Sequence, residues 1–115
     1  MLGKPLKDYV DNEIKEVMET NFSSQVSLFQ KLMRLFSKNA SVIFMSSISG
    51  QRGSYDPIYS ASKAAQIGFI KSIALWEGSK IRINGIAPSL VENSSMFDEM
   101  ATKRQKYHGY YRAIY

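Results

Sequence analysis

Two short apolar runs with a long helical pattern between them limit this chain more than any other feature. "SVIFM", Ser41 to Met45, is apolar and β-branched near its start. "IRINGI", Ile81 to Ile86, stops just short of Pro88. Runs this short and apolar read as strands buried on both faces of a parallel sheet. Between them a polar loop covers Ser46 to about Asp56, and Pro57 suits a first helical turn. The helix then continues through "YSASKAAQIGFIKSIALWEG" and stops at Gly78. Strand, crossover helix and strand make a βαβ unit, so the chain is of the α/β class. Ala61, Ala64, Ala65 and Gly68 leave the crossover helix small enough for close packing.

Upstream, Asp11 stands as an N-cap, with Ile14, Val17 and Met18 at helical spacing after it. Phe22, Val26, Phe29, Met33 and Phe36 then form one stripe, and Leu28, Leu32 and Leu35 a second beside it. A face that wide predicts burial on two sides, by a sheet and by another helix. The two stretches read as one helix bent near Asn21. From Ser89 onward the chain is polar and irregular, with a helix from about Met96.

Composition removes several function classes. There is no cysteine and only one histidine, His108, among 115 residues. Disulfides, thiolate metal sites and His-rich metal sites are therefore excluded, and no metal is expected. The opening "MLGKPLKDYV" has no apolar core, and no apolar run could span a membrane. A cytoplasmic protein with no membrane partner is expected. The net charge of +5 is uneven: Lys103, Arg104, Lys106 and Arg112 lie among tyrosines at the end of the chain. Such a segment could hold a nucleic-acid strand by phosphate contact and stacking. A solvated helix or substrate loop is the simpler reading, so nucleic acid is not an expected partner.

Tyr59 and Lys63 carry the most pointed chemistry. Residues four apart lie on one helix face, about 6 Å along the axis. A phenol ionises near pH 10 and must be shifted down by roughly 2–3 units to exchange protons near neutrality. An ammonium on the same face supplies a field of the right sign. The spacing alone is weak, since such short patterns recur by accident. Its context is stronger. Ser47 sits at the carboxyl end of the first strand, where open α/β sheets place their ligands. Its hydroxyl could bond a substrate oxygen as charge develops, or simply cap a loop.

Read together, the segments resemble the short-chain dehydrogenase/reductase family. "METNFSSQVSLFQKLM" looks like the family's helix with its catalytic asparagine, here Asn21. "VIFMSSISG" is similar to its strand and serine segment, with Ser47 catalytic and Ser46 its neighbour. "YSASKAA" resembles its Tyr-x-x-x-Lys signature, and "IRINGIAPSLVENSSM" its strand with Asn84 and the turn beside nicotinamide. The resemblance implies a partial Rossmann-like, doubly wound domain and hydride transfer between NAD(P)(H) and a carbonyl or alcohol. Tyr59 would be the acid or base. Lys63 would favour the phenolate and hold the nicotinamide ribose, Ser47 would orient substrate, and Asn21 would hold a water leading to Lys63. Tyr59, Lys63, Pro88, Ser89, Val91 and Asn93 would line the cofactor.

The chain departs from the family at Ser89, where glycine is usual, and at Asn93, where threonine is usual. None of its seven glycines forms the Gly-rich turn that receives a pyrophosphate. Gly50 and Gly53 follow the wrong strand, no helix is expected to start there, and a loop role is assigned. The expectation is a central-to-late portion of such an enzyme, 1–115 as one partial domain with 96–115 a truncated substrate loop and basic tail. Little stand-alone activity is expected. NAD and NADP both stay open. The helices Phe22–Phe36 and Tyr59–Trp76 offer a homo-oligomer interface. The alternative is a non-catalytic module acting through those helices.

Overall fold

The computed structural model describes residues 3–92 and 94–99. At its centre β1 (Ser41–Met45) lies parallel to β2 (Arg82–Ile86), with Val42 opposite Ile83 and Phe44 opposite Gly85. Before β1 come α1 (Asp11–Met18), a π-helical stretch (Glu19–Ser23) and α2 (Ser24–Leu32), which follow one another without a break. After it come a single helical turn, α3 (Ser49–Arg52), and the crossover helix α4 (Pro57–Glu77). A helical turn at 95–99 matches the pattern seen near Met96. The basic segment Lys103–Tyr115 lies outside the described residues.

The expectation of strands buried on both faces is corrected. Helices α2 and α4 pack on the same side of the sheet. Phe29 of α2 and Ile70 of α4 form the core with Phe44, Ile81 and Ile83, and Val42, Phe69 and Ile73 close its margin. The other side carries Ser41, Ile43, Met45, Arg82, Asn84 and Ile86, all exposed. An apolar run reports that its side chains suit a buried sheet; it does not say that both faces are covered within the same chain. Leu28, Leu32 and Leu35 are likewise exposed, so the second stripe of the long helix has no partner among the described residues.

Some helix ends follow their local sequence signals and others do not. α1 begins after Val10, not Asp11. Glu13 turns back to accept the Val10 N–H at 3.0 Å, and Lys4 pairs with that carboxylate at 2.5 Å. The far carboxylate thus replaces a local cap. α4 does begin at Pro57 and end before Gly78. The loop after β1 was expected to hold no helix, yet Gly50 lies inside α3. A Cβ there would stand 2.6 Å from the carbonyl carbon of Lys63, so only glycine lets α3 rest on the backbone of α4. Gly85 serves the core in the same way: a Cβ would meet Ile70 Cδ1 at 2.8 Å. No helix among the described residues is long and apolar enough to cross a membrane.

Candidate active site

The inward face of α4 changes character along its length. Tyr59, Ser62, Lys63 and Gln66 are buried in its first half, and Ile70 follows in the second. The spacing is one continuous stripe. Its apolar part faces the strands, and its polar part passes their carboxyl ends. There the Lys63 ammonium donates to the carbonyl of Met45, the last residue of β1, at 2.9 Å.

Tyr59 and Lys63 are brought together as expected. The Lys63 Nζ lies 5.8 Å from the centre of the Tyr59 ring. That is within the range of a cation–π contact. Lys63 also donates to Gln66 Oε1 at 3.3 Å. An ammonium has three N–H donors, so one has no acceptor among the described residues. Burial holds this ammonium below the usual lysine range, because a cation loses hydration there. The Tyr59 hydroxyl makes no hydrogen bond among the described residues. No fully buried side-chain oxygen or nitrogen among them lacks a partner, so this hydroxyl keeps at least a small contact with solvent although Tyr59 as a whole is buried.

Ser46 and Ser47 divide two tasks at the end of β1. Ser46 Oγ donates to the Lys63 carbonyl at 3.0 Å and ties the strand to α4. Ser47 Oγ accepts the Ser49 N–H at 3.1 Å, which starts α3. It acts as a loop cap, and its own proton meets no acceptor among the described residues. Asn21 lies in the π-helical stretch. Its Nδ2 donates to Ser62 Oγ at 3.2 Å, and Ser62 donates to the Tyr59 carbonyl at 2.7 Å. Asn21 therefore reaches the Tyr59 turn through one serine. Pro88 meets the first rim loop, since its carbonyl accepts the Ile48 N–H at 3.0 Å. Ser89 and Val91 are exposed on the loop that follows, and Asn93 lies outside the described residues.

Three buried polar residues at this rim were not singled out from the sequence. Asp56 is fully buried and caps α4, accepting the Tyr59 N–H at 2.9 Å. It also accepts the Tyr9 hydroxyl at 2.5 Å and the Gly3 N–H at 2.7 Å. Ser62 and Gln66 are buried beneath Tyr59 and Lys63. The signal for both was available: they sit three and seven residues after Tyr59, on its own face of the helix. Two surface clefts among the described residues lie elsewhere. One of about 240 Å³ is lined by Phe36, Lys38, Glu77 and Lys80, and another of about 630 Å³ by Asn12, Glu16 and Ser23. Neither includes Tyr59, and the bonding at the strand ends marks the site better than concavity does.

Comparison with known proteins bears on this arrangement. The short chain dehydrogenase family profile matches residues 2–105. A chloroplastic tropinone reductase homolog from Arabidopsis thaliana is 33% identical over 106 residues, covering 89% of this chain and 33% of the relative. The 3-oxoacyl-(acyl-carrier-protein) reductase of Escherichia coli K12 is 36% identical over 86 residues, covering 71% and 35%. The chain thus spans about a third of the length of the curated relatives it matches. A short-chain dehydrogenase from Brucella melitensis shares the fold with a TM-score of 0.82 at 21% identity, covering 89% of this chain and 42% of that one. A short chain dehydrogenase from Shigella flexneri, in complex with NADP, has a TM-score of 0.77 at 27% identity, covering 84% and 41%. One from Escherichia coli CFT073, in complex with NADPH, has a TM-score of 0.70 at 29% identity, covering 75% and 37%. The sequence match runs through both strands and every helix between them, and the chain belongs to the short-chain dehydrogenase family.

Proposed function

We propose that this chain carries the proton-transfer part of an oxidoreductase site that interconverts a carbonyl and an alcohol with NAD(P). The observation that carries this reading is the Lys63 ammonium against the Tyr59 ring at the carboxyl ends of the strands. Tyr59 gives a proton to the carbonyl oxygen in reduction and takes one from the alcohol in oxidation. Lys63 favours the phenolate by its charge, and its remaining N–H suits a ribose hydroxyl. Ser47 donates its free proton to the substrate oxygen. Asn21, joined to the Tyr59 turn through Ser62, holds the water that leads towards Lys63.

The residues fit the nicotinamide half of a dinucleotide. Tyr59, Lys63, Pro88, Ser89, Val91 and Asn93 would hold that half, and the bound cofactor supplies or accepts the hydride. The chain has no Gly-rich turn for the pyrophosphate. Residues 1–115 act as one partial domain, with 96–115 contributing to the substrate loop. The affinity of this chain alone for NADH or NADPH is accordingly expected to be weaker than micromolar, measured by fluorescence titration. In a complete enzyme that carries this segment, at saturating cofactor, Tyr59→Phe should lower carbonyl reduction by roughly 10²–10⁴-fold, the usual reach of a positioned acid or base. Cofactor affinity should barely change. An unaltered rate would sink the role given to Tyr59.

A second copy of the chain is the occupant we assign to the exposed leucine stripe of α2 and the 3₁₀ turn Met33–Leu35 that follows it. Leu28, Leu32 and Leu35 stand open there, and α4 leaves Ala61, Ala64 and Gly68 open with Leu75 and Trp76. Leucines on one helix and small residues on the next are complementary between two copies. The paired substitutions Leu28→Glu and Leu32→Glu should turn a dimer into a monomer in sedimentation. A wild-type chain that stays monomeric at high concentration would contradict the assignment.

A further inference from the structure

We infer that Gln25 and Gln66 are positioning residues that aim the Lys63 ammonium at the strand rim. The inference rests on the reading of Lys63 as part of the reactive site. Gln66 is 2% exposed, and it lies on the inward stripe of α4 between Lys63 and Ile70. An apolar side chain there would extend the core. The amide must instead satisfy its polar atoms, at a cost of about 1–3 kcal/mol for each one left bare. It does so in one direction only. Oε1 accepts from Lys63, and Nε2 donates to Gln25 Oε1 across the gap to α2.

Gln25 therefore decides which end of the Gln66 amide meets the ammonium. With Nε2 engaged by Gln25, the oxygen is turned to Lys63. Without that partner the amide could flip and set an NH₂ group against a cation. Met45 supplies a second acceptor from β1. Two of the three ammonium N–H groups are then fixed from two different elements, which fixes the direction of the third. Tyr59 is the ionisable neighbour whose ring is set against Lys63, and the cause of the low lysine pKa is burial.

The experiment follows Lys63 by ¹³C-labelled lysine NMR titration of the whole chain, with the resonance assigned through Lys63→Arg. No cofactor or substrate is needed, so the result is independent of the turnover test on Tyr59. Gln66→Leu keeps the volume and removes the acceptor, and should move the Lys63 titration to lower pH. Gln66→Glu puts a carboxylate in the same place and should move it to higher pH. Gln25→Leu does not touch Lys63 yet should move it in the same direction as Gln66→Leu. The Gln66→Glu shift follows from charge alone; the discriminating arm is Gln25→Leu, for which a purely structural role predicts no shift of Lys63. An unshifted Lys63 in Gln66→Leu, shifts of one sign in both Gln66 variants, or an inert Gln25→Leu would each overturn the inference.

Discussion

Phe29→Ala is expected to destabilise the domain by about 3–5 kcal/mol, the range for removing a buried phenylalanine. Phe29 is 5% exposed and reaches from α2 to the sheet. Its ring centre lies 5.6 Å from Phe44 on β1, 5.7 Å from Phe36 and 5.9 Å from Phe69 on α4. The contacts to Phe44 and Phe69 are tilted or edge-on, a geometry that aromatic pairs favour beyond simple burial. Phe44 and Phe69 also meet each other at 5.7 Å. Removing Phe29 thus opens the point where helix, crossover helix and strand converge. A domain of this size has only about 5–15 kcal/mol in total, so the variant should sit near its unfolding midpoint. Leu35→Ala, at an exposed position six residues further on, should change the stability of the dilute, monomeric chain by less than about 0.5 kcal/mol. Guanidinium unfolding of both variants checks the contrast. Equal losses in the dilute chain would mean that the leucine stripe is covered within the monomer itself.

That contrast marks what the sequence could and could not convey. The stripe of Phe22, Val26, Phe29, Met33 and Phe36 and the stripe of leucines are equally apolar. Only the first meets partners among the described residues. The limits of β1 were legible to the residue, because a β-branched apolar run between polar loops admits few alternatives. β2 starts one residue later than the pattern suggests, at Arg82, whose N–H bonds the Ala40 carbonyl at 2.8 Å. Ile81 is buried all the same, in the core rather than in the ladder. The one-sided burial of the sheet was not legible, since composition is blind to which chain covers a face.

The polar half of the site was harder still. Tyr59 and Lys63 announce themselves by spacing and by resemblance. Gln66 and Ser62 look like surface residues until the register of α4 places them beneath that pair. Asp56 lies next to a proline that already explains the helix start, so its own role is hidden. Its partners Tyr9 and Gly3 are about fifty residues away in sequence. Only tertiary structure brings such distant donors to one carboxylate.

Asp56→Ala should cost about 3–7 kcal/mol for this reason. Loss of an N-cap accounts for about 1 kcal/mol. The Tyr9 hydroxyl and the Gly3 N–H then lose their acceptor at a site that excludes water, at about 1–3 kcal/mol each. Asp56→Asn should recover only part. One amide oxygen can serve Tyr9 and Tyr59, but an NH₂ group then faces the Gly3 N–H. The Tyr9 bond can be isolated by pH. Burial, and then the hydrogen bond to Asp56, push the Tyr9 phenol well above its ordinary range. A raised phenol stabilises the fold below the unfolded value of about 10, and that contribution fades as pH rises further. Lys63 has the opposite sign: its lowered pKa favours the fold above the ordinary lysine range and weakens it as pH falls. The difference in unfolding free energy between wild type and Tyr9→Phe cancels the lysine and keeps the tyrosine. It should be constant from neutral pH to about 9 and shrink above about 10. A difference that grows with pH would show that the Tyr9 hydroxyl is not donating to a carboxylate, and that α4 begins without this strap.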